Sequence, residues 1–393
     1  MTSRHSTSSM GATPSLDESP VARKSLGILC DFREENWPSM DLAAEMLHQE
    51  IGKRNDRSWA GELILPNYRR RFTWTKRLIG EKHAGNLDRL YNRMRAYPQH
   101  LASLRPHSFY HLCDHSYAHL LHRLPAGKVG AFCHDLDTFR CLLEPERDPR
   151  PRWYRHMTRS ILDGLRKAAI VFHPTVQTGR EILQYGLVSP EKLVLAPNGV
   201  ASEFTSVDRL DDSELLQGES PFLLNVGTSI PRKRIDVLLR VFSQTRTFWP
   251  QLRLVQIGGQ WTTTQQTLLD ELEIRPHVTQ LRGLSRNQLA AYYRDAAVVV
   301  QPTEAEGFGL PIVEALACGA LVVASDIPVL REVGGEAVIF ASVGNVNAWK
   351  HALVNVKSGR HPSSFARLSQ AAKFAWRSQA ETILAAYDRL AGV

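Results

Sequence analysis

Two doubly wound α/β domains facing each other across a cleft are expected of this 393-residue chain. Short apolar runs alternate with helical patterns along most of its length, the mark of a parallel sheet covered by helices on both faces. The alternation stops at a polar, acidic stretch, TSVDRLDDSELLQGES (205–220), and then starts again. The length also exceeds what one hydrophobic core usually covers.

In the first domain, 25–205, the run SLGILCD (25–31) is a strand, and DLAAEMLHQEIGK (41–53) is helical with Asp41 as its N-cap. FYHLCD (109–114), VGAFCHD (129–135), AAIVFHP (168–174) and KLVLAPNGV (192–200) continue the series of strands. Ligands of such sheets sit beyond the C-terminal strand ends, which makes Asp31, Asp114, His134 and Asp135 candidate site residues. Residues 206–220 read as a linker. The second domain, 221–375, has strands at PFLLNVGT (221–228), RLVQIGG (253–259), VTQLRG (278–283), AAVVVQPT (296–303), ALVVASD (320–326) and AVIFA (337–341). IDVLLRVFSQTR (235–246) and SRNQLAAYYRDA (285–296) carry apolar residues at helical spacing.

The composition, 43% hydrophobic and 22% charged, is that of an ordinary globular protein. There is no apolar run of about 18 residues to span a membrane. Residues 1–24, rich in Ser, Thr and Pro and without an apolar signal core, read as a disordered leader. Five scattered cysteines without zinc or redox spacing fit a reduced, cytoplasmic protein. The net charge of +8 is lopsided: residues 1–205 hold 29 Lys and Arg against 22 Asp and Glu, and residues 206–393 hold 19 against 18. Its densest stretch, NYRRRFTWTKR (67–77), mixes arginines with aromatics. Arg69–Arg71 would suit phosphate, an anionic glycan, or peripheral contact with an anionic membrane at its inner face; a solvated basic face is the plain alternative. Nucleic acid is not expected, because no binding motif accompanies the charge.

Neither GxGxxG nor GxxxxGK[ST] occurs at a strand end, which argues against NAD-linked oxidoreduction and P-loop hydrolysis. Instead NVGTSIPRKRIDVLL (225–239) places Arg232, Lys233 and Arg234 at a strand mouth, where cations suit a diphosphate. EAEGFGLPIVEALACG (304–319) sets Glu306 and Glu314 on either side of a Gly-Phe-Gly-Leu-Pro turn. Gly307 and Gly309 permit close backbone approach, and the free N–H groups of a helix start favour an anion. Carboxylates accept hydrogen bonds from vicinal hydroxyls. Basic cradle, backbone donors and two glutamates on one domain describe a nucleotide-sugar site, with Glu304 left at its rim.

Residues 306–338 resemble the donor-site signature of glycosyltransferase family 4, retaining enzymes of the GT-B fold with two Rossmann-like domains. NVGTSIPRKRID resembles the family's phosphate-binding turn, LAPNGV (195–200) the segment closing its first domain, and FAWRSQAETILAAY (374–387) the final helix that returns to that domain, here 376–393. The resemblance implies that Glu306 binds the donor sugar, Glu314 the ribose, and Gly307, Phe308, Gly309 and Leu310 donate from the backbone. Gly227 and Thr228 would border the diphosphate, with Arg232 and Lys233 neutralising it; Thr228 stands where the family often has Arg. His134, in FCHDLD, fits the family's cleft histidine and joins Glu306, Arg232 and Lys233 as a catalytic candidate, while Asp114, His115, His119 and Asp135 are acceptor-side candidates. The family's glycine loop is replaced by REENWPSM (33–40). No metal or other cofactor is expected; the donor would be a GDP- or UDP-sugar, with a weak lean to mannose, and the acceptor a glycan or lipid-linked sugar. A glutamate nucleophile is the weaker reading of Glu306. A GT-B nucleotide-sugar epimerase and a non-catalytic nucleotide-sugar-binding partner are the alternatives.

Overall fold

The computed structural model describes residues 23–55, 58–207 and 221–392. The expected leader (1–24) and linker (206–220) fall almost wholly outside these residues.

Six strands form the first sheet: β1 (Lys24–Leu29), β2 (Trp59–Ile64), β3 (Phe109–Leu112), β4 (Val129–Phe132), β5 (Ile170–His173) and β6 (Leu193–Leu195). They lie in the order β2-β1-β3-β4-β5-β6, all parallel. Six more form the second: β7 (Phe222–Gly227), β8 (Arg253–Gly258), β9 (Val278–Leu281), β10 (Val298–Gln301), β11 (Val322–Ser325) and β12 (Ile339–Ala341). Their order is β12-β11-β10-β7-β8-β9, again all parallel. In each sheet the winding reverses once, between β1 and β3 and between β7 and β10. Loops leaving the two strands at such a reversal diverge and open a crevice. This is the GT-B architecture.

The strands end earlier than their apolar runs, so Asp31, Asp114, His134 and Asp135 stand in the loops just beyond. Strand β2 has no counterpart in the sequence reading: WAGELI carries Gly61 and Glu62 in its middle, and only its two end residues are buried. The first long helix is Pro38–Gly52 and follows Trp37, which corrects Asp41 as N-cap. Proline at N1 fixes the start, and Asp41 lies within the first turn.

The helix Trp376–Leu390 lies against the first sheet, with Ile383, Leu384 and Tyr387 buried among Leu26, Ile28, Phe109 and Phe172. The Tyr387 hydroxyl donates to the Tyr110 carbonyl (2.7 Å), accepts from Gly130 N (3.2 Å) and lies 3.2 Å from His111 Nδ1. All five cysteines are buried and unpaired. Among the described residues no helix is long and apolar enough to cross a membrane.

Candidate active site

The reversal of the second sheet brings two loops together. Strand β7 ends at Gly227, and the chain turns through Pro231–Lys233 before the helix Ile235–Arg246. Beside it, the loop after β10 is lashed to this turn: the Arg232 carbonyl accepts from Glu304 N (2.8 Å) and from the Thr303 hydroxyl (3.0 Å). Lys233 and Glu306 are thereby brought into a direct ion pair, both largely buried. Arg232 Nη1 donates to the Ala305 carbonyl (2.9 Å) and stands 3.7 Å from Glu306 Oε2. The third cation of the turn goes elsewhere. Arg234 adopts a left-handed conformation (φ 49°) and pairs with Asp236 and, at 3.3 Å, with Glu304. Arg234 is therefore not part of the cradle, and Glu304 serves as its partner. Thr228 stands exposed at the mouth of β7.

Gly309, at φ 96°, leads into the helix Leu310–Ala317, with Pro311 in its first turn. The Phe308 ring turns inward and packs edge-on against Phe374, 5.4 Å between centroids. Only its backbone is left for a ligand. Glu314 lies apart from the ion-paired group: it is buried, and its Oε2 accepts from the Tyr293 hydroxyl (2.9 Å). Burial pushes its carboxyl up to about 7, against the opposing pull of that hydrogen bond and of Arg286.

The first domain contributes the facing wall. His134 Nε2 donates to the Cys113 carbonyl (2.7 Å), and its ring stacks on Phe132 at 4.4 Å. A carbonyl only accepts, so neutral His134 carries its proton on Nε2 and leaves Nδ1 bare. Burial lowers its pKa and favours that neutral form. Asp135 Oδ2 lies 3.9 Å from Arg232 Nη2, and Asp137 Oδ2 lies 3.1 Å from Arg232 Nε without hydrogen-bond alignment. Asp137 was not among the sequence candidates, although it is the second acid of the HDLD stretch that holds two of them. Behind this wall, His115 sits 3.4 Å from Asp114 Oδ1 and 4.0 Å from Asp135 Oδ1, both ring nitrogens buried without a hydrogen bond. Asp114 accepts from Ser116 N (2.8 Å) and Ser116 Oγ (2.5 Å). Burial alone would raise Asp114, but His115 and the Ser116 bonds outweigh it and hold the carboxyl below its ordinary value. Asp31 is the opposite case. Both its oxygens are buried without a partner, and burial, then the Asp114 charge, push it well above the usual carboxylate range. His119, also expected in the cleft, does not join this group. Its Nε2 meets the Arg93 carbonyl (2.8 Å), its ring lies against Tyr117, and burial lowers it to about 4.

Thus Glu306, Arg232, Lys233, Asp135 and Asp137 form one charged cluster across the cleft. His134 borders it through its backbone: a Cβ at Gly307 would come within 2.1 Å of the His134 carbonyl oxygen. Among the described residues no group of three or more His, Cys, Asp or Glu is placed to hold a metal ion.

Residues 206–373 match the family model described as glycosyl transferases group 1. O-antigen chain mannosyltransferase B of Escherichia coli is 28% identical over 283 residues, 69% of this chain and 72% of that one. The D-inositol 3-phosphate glycosyltransferase of Mycolicibacterium smegmatis is 35% identical over 174 residues, which cover 42% of this chain but only 39% of the relative. Sucrose-phosphate synthase from Thermosynechococcus elongatus shares the fold, with a TM-score of 0.71 at 17% identity over 94% of this chain and 100% of that structure. Both the basic turn and the glutamate-bracketed turn fall within the span that is similar to the glycosyl transferases of group 1.

Proposed function

We propose that the chain transfers a hexose, with mannose favoured, from a GDP- or UDP-sugar to a glycan or lipid-linked acceptor, retaining the anomeric configuration and using no metal. One observation carries the reading: Arg232 and Lys233 converge on Glu306 at the reversal of the second sheet. The mannose preference is supported by the name of the Escherichia coli relative. Retention rests on the resemblance to family 4.

Breaking the sugar–diphosphate bond leaves negative charge on the diphosphate and positive charge on the anomeric carbon. Cations fixed before the reaction stabilise the first without reorganising, which is the role of Arg232 and Lys233 in place of a metal. Glu306 and Asp137 stand against Arg232 and Lys233, so a bound diphosphate exchanges one anion for another at these cations. Glu306 then turns to the donor hydroxyls and Glu314 to the ribose. Asp135, released by Arg232, joins Asp114, His115 and Asp31 in receiving acceptor hydroxyls. Domain closure keeps water from the donor.

The acceptor side includes a surface for an anionic membrane. Trp74 and Leu78 are 75% and 80% exposed, on the segment that also carries Arg69–Arg71, Lys76 and Arg77. Apolar side chains beside a cluster of cations fit the boundary between acyl chains and anionic headgroups.

The test of the reaction is nucleotide release from a panel of GDP- and UDP-sugars with the purified chain, with and without saccharide acceptors. Slow hydrolysis of one donor, accelerated by acceptor, is expected, with GDP-mannose the fastest. Nucleotide binding with total inertness towards every donor would instead favour a binding partner without catalysis.

A further inference from the structure

Two contacts cross the cleft at a point the proposed chemistry does not use. From the second domain, Glu332 on the helix Pro328–Gly334 reaches the start of the helix Val176–Gln184 in the first. Its Oε1 accepts from Val176 N (2.6 Å) and its Oε2 from Gln177 N (3.1 Å). Amides in a helix's first turn have no partner within the helix, so this carboxylate supplies what the helix cannot. In return, the hydroxyls of Thr175 and Thr178 each lie 3.4 Å from the carbonyl of Gly307, in the donor turn of the second domain. Both threonines are buried, and their hydroxyls are 2.8 Å apart. Each domain therefore completes the backbone hydrogen bonding of the other.

We infer that Glu332, Thr175 and Thr178 form a reciprocal clamp that closes the cleft and positions the donor turn for transfer. The inference rests on the donor-site reading above, and none of the three side chains touches the charged cluster. Their effect runs through Gly307. A peptide unit is planar and trans, so fixing the Gly307 carbonyl also fixes the Phe308 N–H, one of the backbone donors assigned to the donor. At the same residue the donor turn runs close to the histidine loop: a Cβ on Gly307 would fall 2.1 Å from the His134 carbonyl oxygen and 3.3 Å from Asp135 Cβ. The two halves differ in character. Glu332 is exposed, so water competes for its bonds and the clamp can release between turnovers. The threonine half is buried and sets the geometry when closed.

The experiment compares E332A, E332Q and the double variant T175V/T178V with the parent chain. E332A alters an exposed side chain and keeps the test readable if the buried double variant folds poorly. Nucleoside diphosphate affinity should stay within about 3-fold, because the nucleotide sits on the second domain alone. Transfer kcat should fall by roughly 10-fold or more, since small misplacements of reacting groups are that costly. The share of donor lost to water should rise, and E332Q, which keeps one acceptor oxygen, should fall between E332A and the parent. Amide exchange at Val176 and Gln177 should accelerate in E332A. Unchanged kcat and unchanged partition between transfer and hydrolysis in E332A would overturn the clamp. A parent chain inert towards every donor would defeat the transferase reading alone. The clamp would then stand or fall on the exchange rates and on a larger radius of gyration of E332A in solution scattering.

Discussion

Lys233 and Glu306 form an ion pair. In the reaction proposed above, the same Lys233 neutralises the leaving diphosphate. K233A should cut transfer kcat by about 100-fold or more, by comparison with the loss of a preorganised donor to a developing oxyanion. Near-normal turnover in a nucleotide-release assay would remove Lys233 from that role. Glu314 offers a test that needs no substrate. Its carboxyl is raised from 4.5 to about 7 by burial, so the folded chain keeps a proton that the unfolded chain loses between those values. Where the native state binds more protons, stability falls as pH rises. This group thus favours folding most below about pH 4.5, and its penalty is complete above about pH 7, on the order of 3 kcal/mol. E314Q removes the charge and keeps an acceptor for Tyr293. Its denaturation midpoint should gain on the parent between about pH 5 and pH 8, and a constant gap would contradict the buried ionisation. The convergence of Glu306, Arg232 and Lys233 was legible because each sits on a short turn with its own glycine or proline marks, whereas Glu314 lies apart in the helix that follows. Asp137 was not, since nothing local distinguishes an acid that meets its partner across a cleft from one facing solvent. His119 is a related case: nothing in the local sequence tells whether a histidine ring meets a ligand or, as here, a backbone carbonyl.

At the scale of elements, eleven of the twelve described strands were readable as apolar runs; eight of them pair on both sides, and β6, β9 and β12 lie at sheet edges. Strand β2 escaped because Gly61 and Glu62 break its pattern, and at the sheet edge it pairs with β1 alone. The segment 67–102 was legible only as charge. In the structure it is a chain of short helical pieces: Thr73–Thr75, Lys76–Ile79, Glu81–Tyr91, a π-helical turn Asn92–Ala96, and Tyr97–Ala102. Buried Asp88 and Asn92 pin the arginines' backbone to it. Asp88 Oδ1 accepts from Arg71 N (2.7 Å) and Phe72 N (2.8 Å), and Asn92 Oδ1 accepts from Arg69 N (2.8 Å). This anchoring presents Arg69–Arg71 and the exposed Trp74 and Leu78 as one ordered surface. Two variants separate its contributions. Replacing Arg69–Arg71 with glutamine should abolish the salt-sensitive part of binding to anionic vesicles, because exposed charges are screened over about 10 Å at 0.1 M salt. W74S/L78S should weaken binding at every salt concentration, by about 10-fold or more, since a buried Trp or Leu side chain contributes roughly 1.5–3 kcal/mol. Absence of vesicle binding by the parent even at low salt would rule the surface out as a membrane contact.

At the scale of the whole molecule, each sheet reverses its winding once, after two strands in the first and after three in the second, and the sequences of the two domains show no repeat; strand order follows from right-handed crossovers and not from any residue pattern. The return of the last helix was likewise invisible to composition and came from resemblance alone. Its structural reason lies in Gly130, in the middle of β4. A Cβ there would come within 2.4 Å of the Tyr387 hydroxyl, so the strand gives up a side chain to admit a ring from the far end of the chain. That hydroxyl satisfies the Tyr110 carbonyl and the Gly130 amide, and Tyr387 is fully buried. Leaving such groups unpaired costs about 1–3 kcal/mol. Y387F should therefore destabilise the first domain by that amount while leaving the second unchanged. Tyr387 packs in a core of first-domain strands, although Leu42 and Met46 of the first domain join the second domain's core, so the loss should fall mainly on the first domain: its transition moves to lower denaturant, and nucleotide affinity, proposed to rest on the second, stays put. Truncation after Ala375 is the stronger form of the same change. It uncovers the apolar face formed by Leu26, Ile28, Phe109 and Phe172, and the first domain should then lose its cooperative transition. An unshifted first-domain transition in both variants would mean that the returning helix rests on the sheet without supporting it.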